Sequence, residues 1–451
     1  MTLRRVLTAL LTALALTGCE DVLEGLPDGT EPEQLVGDCE ANDALQESLT
    51  DDRLGDGIQR FSTISMDIVK MREAMMEGRE VEFPMVTAQG ETVMTPLVPT
   101  SWREGIEVRE GQAKGREGEE LGRVQVPDDI TFQLGCESAE VPCGVITFLD
   151  ADAENPQRFE AMLIDPVEGW TIIESAASLW DHIGLGDEPP GDKCGVVYNS
   201  AFHGAIDFDD EDEGIESLGE GQVEGKSWAI PIVLDGDEQW YNLDPATAWT
   251  RQRSVLANVN LMYHVIEPLS SGAFDILFVL KGQEAWTTPG EGPSTTDKVA
   301  LSDEINDPDY PMITHPANNE VSYFFVGYDM ATGIAGRAGG ICNVPGYDDT
   351  FGSAEAHQKN HAWGQQVTDA SGYQFATLYG RSVVMAHEIG HMLGGTHGDG
   401  EANDCAGGGL PNLCGTSLLL GGGGGAPDFR QPYFTDANDA NIVACVGDAV
   451  P

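Results

Sequence analysis

His387-Glu388-Ile389-Gly390-His391-Met392-Leu393-Gly394-Gly395-Thr396-His397 is the stretch on which the reading of this chain turns. Val383 to Leu393 contains no helix breaker apart from Gly390 and reads as a helix. His387 and His391 lie four apart, so both imidazoles project from one face and can grip one ion. Met385, Ile389 and Met392 form a second stripe on the other side, suited to a core. Gly394-Gly395 ends the helix and permits the positive φ of a sharp turn, which can swing His397 back as a third ligand. Neutral imidazole suits Zn2+, and three protein ligands leave a fourth position open for water, as in a catalytic rather than a structural zinc site. Glu388, beside the first ligand, is placed to take the proton from that water.

The sequence around this motif has the pattern of an α/β layer. Ala229 to Leu234 reads as a strand. Ala246 to Ile266 fits an amphipathic helix, with Trp249, Val255, Val259, Met262 and Ile266 recurring near helical spacing. Phe274 to Leu280 is a nearly continuous apolar run, as in a buried strand, and Val321 to Val326 is another. Strands and helices in alternation predict a sheet with helices packed on it. Beyond Leu393 the chain is glycine-rich, with five consecutive glycines at Gly421 to Gly425. Thr435 can cap a short final helix carrying Ile442 and Cys445.

The eleven-residue stretch resembles the extended zinc motif of the metzincin metallopeptidases, and residues 227–451 are most similar to their reprolysin (adamalysin) branch. Ile230 to Asp235 looks like that family's first strand, and Ala246 to Ile266 like its first long helix. Tyr323 to Asp329, followed by Gly333-Ile334-Ala335-Gly336-Arg337-Ala338, looks like the edge strand and bulge bordering its cleft. Cys342 sits where the family has a Cys bridged to the C-terminal helix, here Cys445, and Cys405 with Cys414 falls in the small lower subdomain. The resemblance implies an α/β (α+β) zincin domain with a mixed twisted sheet, a long active-site helix and an irregular C-terminal subdomain. It further implies one catalytic zinc on His387, His391 and His397, with Glu388 as general base in peptide-bond hydrolysis. Protein or peptide substrates would lie extended along Gly333, Ile334, Ala335 and Gly336. The family often also holds calcium, and an acidic chain suits it, although no EF-hand-like spacing locates a site. Three features depart from the pattern. Gly398 separates His397 from Asp399, no Met follows Met392 so that Leu418 to Leu420 must serve as the turn beneath the metal, and the five glycines fall where the wall of the S1′ pocket should run. These departures leave open an alternative: a surface lipoprotein using the scaffold for binding without catalysis.

The N-terminus reads as an address. Arg4 and Arg5 precede an apolar run from Val6 to Leu16, too short to span a bilayer as a helix. Leu16-Thr17-Gly18-Cys19 resembles the lipobox of bacterial lipoproteins, in which the Cys carries the lipid. Residues 1–19 are thus expected to be a lipoprotein signal peptide and 20–38 a tether, making the protein exported to the cell envelope or surface. Residues 39–206 form a mostly β, prodomain-like region. Ile58 to Met76 reads as a helix, and strands are expected at Val124 to Val126, Ile130 to Leu134, Val145 to Leu149, Phe159 to Ile164 and Trp170 to Ile173. Cys136 and Cys143 are spaced to staple a hairpin. The run Asp207-Phe-Asp-Asp-Glu-Asp-Glu213 opens an acidic linker, 207–226, which repels itself and marks the domain boundary before 227–451.

Asp192-Lys-Cys-Gly-Val196 resembles the cysteine switch of matrixin and reprolysin prodomains, which implies Cys194 as a thiolate closing the metal site in a latent zymogen. The other reading is a disulfide, for instance with Cys39. Of nine cysteines, lipidation of Cys19 would leave an even number, which favours complete pairing. Among the remaining histidines, His357 and His361 are read as surface residues, and His264 as a packing or capping residue.

The 451 residues carry 76 Asp+Glu against 23 Lys+Arg, a net charge of −53. No basic stripe offsets that field, which argues against nucleic acid and against electrostatic binding to an anionic membrane, leaving the lipid as the membrane contact. Disorder is opposed by a hydrophobic content of 41%. A solvated acidic surface fits a monomer that is soluble in salt or simply exported.

Overall fold

The computed structural model describes residues 35–39, 58–86, 92–102, 104–108, 110–127, 130–136, 142–154, 156–165, 169–183, 194–200, 226–266, 274–307, 309–317, 319–330, 336–339, 360–367, 377–395 and 442–446. The first half of the chain supplies β1 (Val36–Asp38), β2 (Ile58–Met66), α1 (Ile68–Met76), β3 (Val81–Val86), β4 (Thr92–Ser101), β5 (Glu110–Lys114), β6 (Glu120–Gln125), β7 (Thr131–Cys136), β8 (Pro142–Phe148), β9 (Phe159–Asp165), β10 (Gly169–Ser175), α2 (Ala176–Ile183) and β11 (Cys194–Ser200). The second supplies β12 (Lys226–Gly236), α3 (Glu238–Leu243), α4 (Ala248–Asn260), β13 (Phe274–Trp286), α5 (Lys298–Ile305), β14 (Val321–Val326), β15 (Gly336–Ala338), β16 (His361–Gln365) and α6 (Leu378–Met392). A π-helical turn, Leu261–Ile266, prolongs α4, so the expected helix over 246–266 exists with a change of winding near its end.

Two sheets result. One has nine strands in the order β1-β2-β11-β10-β9-β8-β7-β4-β3, and its neighbours pair antiparallel. The other has seven, ordered β15-β16-β14-β12-β13-β5-β6. Its centre is parallel: β12 pairs with both β13 and β14, and β14 with β16. β15 is antiparallel to β16. This is the expected mixed α/β architecture with a β-rich region before it.

The helix read over Ile58 to Met76 is corrected: its first half is β2. Ile64, Met66 and Ile68 are buried with period two, and Asp67 interrupts the chain as an N-cap, its carboxylate accepting from Lys70 N at 3.2 Å. The Ile64 to Ile68 interval fits either period, and the cap decides where one gives way to the other. Ile68, Met71, Ala74 and Met75 of α1 then pack into one core with Phe148, Phe159, Ala161, Leu163 and Val197.

Alternate residues of the same strands face another way. Val145, Met162, Ile172, Val196 and Tyr198 belong to a single cluster with Val255, Leu256 and Val259 of α4 and with Val384, Met385 and Ile389 of α6. The β5–β6 hairpin lies further still from its sequence neighbours. β5 pairs parallel to β13, Gln283 opposite Gly111 and Trp286 opposite Lys114, and so extends the seven-stranded sheet. Residues 207–225, where the domain boundary was expected, lie outside the described residues.

Two buried ionic groups join these layers. Glu160 and Glu174 are direct cross-strand partners on β9 and β10, an arrangement that repels when both are ionised. Arg381 of α6 answers it: one guanidinium nitrogen is 2.8 Å from Glu160 Oε1 and 2.9 Å from Glu174 Oε1. Ser178 donates to Glu160 Oε1 at 2.5 Å and Ser254 of α4 to Oε2 at 2.7 Å, while the Tyr198 hydroxyl donates to Glu174. Burial raises the Glu160 carboxyl, but Arg381 and these hydrogen bonds outweigh it and hold it below its ordinary value. Burial raises Glu174 as well; Arg381 pulls it down, the Glu160 charge pushes it up, and it stands at about 7. The second group is Lys114 of β5, bonded to Asp235 of β12 and 3.5 Å from Glu284 of β13, with its ammonium 4.7 Å from the Trp286 ring centre and 5.0 Å from that of Tyr310.

Glu174 generates a pH prediction. Its carboxyl stands at about 7 in the fold against an ordinary 4.5, so the native state binds that proton more tightly than the unfolded chain. The stability it contributes is complete below pH 4.5 and is lost as pH rises through about 7. Glu174→Gln keeps the neutral form at every pH. Its melting temperature relative to wild type should climb across that window and level off above it, as followed by circular dichroism; a flat difference would rule out the shift.

Candidate metal centre

The motif sits where α6 packs between the two sheets. The helix starts earlier than expected: Thr377 caps it, Oγ1 accepting from Gly380 N at 3.0 Å, and all residues of Leu378–Met392 are buried. Gly380 and Arg381 hide this first turn from a reading based on apolar periodicity. The Tyr263 hydroxyl donates to Ala386 O at 2.7 Å, pinning α6 at its middle to the turn that ends α4. The C-terminus is a Schellman stop, with Gly395 N bonded to Gly390 O at 2.9 Å, Gly394 N to His391 O at 3.0 Å, and Gly394 at φ 100°. The turn expected from Gly394-Gly395 is therefore present.

His387 and His391 meet as the spacing predicts. Their Nε2 atoms are 2.9 Å apart and the rings lie edge to face, 4.5 Å between centres. The Nδ1 of His391 is 2.9 Å from Gly395 O. A carbonyl only accepts, so Nδ1 carries the proton and Nε2 presents its lone pair. Two nitrogens bound to one tetrahedral zinc, each at 2.0–2.1 Å, stand about 3.3 Å apart. The observed separation is near that, and the donor set fits zinc. His397 lies outside the described residues, and among the described residues no three His, Cys, Asp or Glu side chains are gathered to hold a metal. That statement covers calcium also.

Glu388 is buried beside the pair. β15 passes directly over it: a Cβ on Gly336 would lie 2.7 Å from Glu388 Oε1 and 2.9 Å from its Cγ. Gly336 thus lies against Glu388 on β15, at the end of its sheet; Tyr323 to Val326, expected in the edge strand, lie instead in β14 between β12 and β16, and Gly333, Ile334 and Ala335 lie outside the described residues. Tyr323 of β14 was missed. Its buried hydroxyl has no hydrogen-bond partner among the described residues and abuts Gly364, where a Cβ would lie 1.8 Å away. Burial, and then the Glu388 charge, push its phenol well above the ordinary value. A lone Tyr in an apolar run carries no sequence signal of this kind.

Cys194 requires a correction. It is bonded to Cys39, with Cα atoms 5.7 Å apart, which is the alternative set against the switch. A sulfur in a disulfide offers no thiolate to a metal, so the inhibitory role is withdrawn. Cys445 is also disulfide-bonded; its expected partner Cys342, together with Cys405, Cys414 and Cys19, lies outside the described residues. Residues 442–446 are helical, with Ile442 and Val446 fully buried, as expected of a final helix. His361 is a second correction: it is buried in β16 and bonded to Ser322 through Nδ1, whereas a surface position was expected. Strand β16 is covered on both faces, which its short mixed sequence does not show. His264 pairs with Asp275.

The family described as Metallo-peptidase family M12B Reprolysin-like matches residues 250–398, a span containing most of α4, the parallel strands β13, β14 and β16, β15, α6 and His397. Over those residues the chain carries a reprolysin-like metallopeptidase domain, and that family implies a zinc cofactor and protein or peptide substrates. A crystal structure of metalloproteinase-II from Bacteroides fragilis is similar at a TM-score of 0.43 and 12% identity, covering 85% of this chain and 96% of that one. No curated protein matches the chain.

Two outcomes follow from the site. Gly336→Ala forces a methyl group against Glu388 and should lower peptide cleavage by at least tenfold while zinc content, read by atomic absorption, stays unchanged. Cys194→Ser should lower the melting temperature, in line with about 2–5 kcal/mol for loss of a native disulfide, without raising cleavage of casein; a gain of activity would restore the switch.

Proposed function

We propose that this chain is an exported zinc metalloendopeptidase, held at a membrane by a lipid on Cys19. The observation that carries the reading is the convergence of His387 Nε2 and His391 Nε2 at 2.9 Å beside buried Glu388, on a helix inside the matched span 250–398. His387, His391 and His397 would hold the ion. Zinc bound there supplies a Lewis acid for the scissile carbonyl and a water acidified to about pKa 7. Glu388 accepts a proton on its carboxylate and delivers it to the departing amine. The Gly395 carbonyl holds His391 in the tautomer that ligates. β15, at the end of its sheet, offers its backbone to an extended substrate at Gly336, and Gly333, Ile334 and Ala335 just before it in the sequence are assigned to the same main-chain pairing. Export and lipidation rest on the Arg4-Arg5, apolar run and Cys19 pattern. The chain is made as a precursor and cut in the acidic stretch 207–226.

The test compares wild type with Glu388→Ala and His391→Ala. Wild type should bind one zinc per chain and cleave casein. Glu388→Ala should keep the zinc and lose cleavage by about 10²–10⁴-fold, the usual worth of a general base. His391→Ala should lose the zinc. One bound zinc without cleavage in wild type, before and after the linker is cut, would overturn the enzymatic reading.

A further inference from the structure

The half of the chain before the acidic stretch is built into the half that carries the metal centre. We propose that residues 35–200 are a permanent partner of residues 226–446. A cut in the acidic stretch then yields a two-chain protein that stays together through its packed contacts, and no pro-segment is released.

Four independent observations carry this. The first is a shared core, in which Met162, Ile172, Val196 and Tyr198 cluster with Val255 and Met385. The second is the Arg381 network, whose carboxylates come from β9 and β10 and whose cation comes from the active-site helix, all 1% exposed or less. Removing the first half would take both carboxylates from Arg381 and uncover the apolar side chains packed around it. The third is strand pairing: β5 runs along β13, and its Lys114 is buried against Asp235 and Glu284. Gly111 of that strand lies so close to α4 that a Cβ would be 2.1 Å from the Trp249 ring. The fourth is hydrogen bonding across the boundary, with Thr250 Oγ1 donating to Leu149 O at 2.7 Å and Arg253 Nη1 to Pro127 O at 3.4 Å. The Cys39–Cys194 disulfide lies wholly within the first half and does not tie it to the second, and with a reducing agent present throughout, cohesion after a cut reports these contacts. Both halves share the acidic composition of the chain, and simple attraction between opposite net charges is not what holds them.

The experiment places a site for a sequence-specific protease between residues 210 and 220 of the full chain. After complete cutting, verified by two bands on a denaturing gel, both fragments should co-elute in a 1:1 ratio on size exclusion. They should do so equally in about 1 M NaCl, where screening acts within about 3 Å. The cut protein should unfold in one thermal transition. Separate elution, or loss of cohesion in salt, would overturn the proposal. Arg381→Met, cut in the same way, should show dissociation at least tenfold faster than the cut wild type; an unchanged rate would overturn the role given to the ionic network. Cohesion is read without reference to activity, so a cut chain that stays together but does not cleave casein supports this inference and counts against the peptidase reading alone.

Discussion

Two glutamates placed directly opposite on adjacent strands, with one arginine from a distant helix between them, set the relation on which the candidate metal centre depends. Glu160 and Glu174 would repel across β9 and β10. Arg381 turns that repulsion into the point where α6 is fixed. A single guanidinium offsets one carboxylate fully and the second only in part, which is why Glu160 stays ionised while Glu174 holds its proton to about pH 7. Buried ionic groups contribute little net stability compared with apolar packing, but they are costly to misplace. Their effect here is one of position: α6 cannot slide or rotate on the nine-stranded sheet without separating Arg381 from both partners.

Position at the first turn is passed to the last turn by the helix itself. Arg381 and Glu388 are seven residues apart, close to two turns, and share a side of α6. Between them the Tyr263 hydroxyl holds Ala386 O, and beyond them the Schellman stop brings the Gly395 carbonyl to His391 Nδ1. The two imidazoles are therefore oriented from both ends, by a hydrogen bond at the C-terminal turn and by an ionic anchor two turns away. A metal-binding pair needs such support, because ring orientation and tautomer are set by groups outside the coordination sphere. β15 closes on the same helix only because Gly336 lacks a side chain.

The local chemistry was legible in the sequence, and the long-range pairing was not. The histidine pair, the glycine stop and the strands β12, β13 and β14 could be read because each depends on residues a few positions apart, or on a continuous apolar run that only a buried strand tolerates. The helix over 246–266 was legible for the same reason, though not its change to π winding. Ile58 to Met76 failed because a four-residue interval between apolar positions is compatible with a helix and with a strand-to-helix junction, and Asp67 decides the matter only through its cap. β5 was invisible: Glu110-Gly-Gln-Ala-Lys114 has neither alternation nor an apolar run, and its place beside β13 comes from Lys114 meeting acids 121 and 170 positions further along. The Cys194 sequence resembled a switch because three neighbouring residues are enough for the motif, whereas the bond to Cys39 spans 155 positions. His397 and the cysteines Cys342, Cys405 and Cys414 lie outside the described residues, so the third ligand rests on sequence alone.

The charge of the chain takes a different meaning once the cations are located. Lys114, Arg251, Arg253 and Arg381 are all buried, out of 23 basic residues against 76 acids. Some of the scarce positive charge is therefore enclosed, where it neutralises buried Glu160, Asp235 and their neighbours. The described interior comes closer to charge balance than the composition suggests. Surface charges of one sign repel through solvent and are screened by salt, whereas the enclosed pairs are screened much less. Added salt should thus relieve the repulsion and leave the internal anchors in place. The helix that carries His387 and His391 is thus fixed by Arg381 through an enclosed network that salt in the surrounding solvent reaches little.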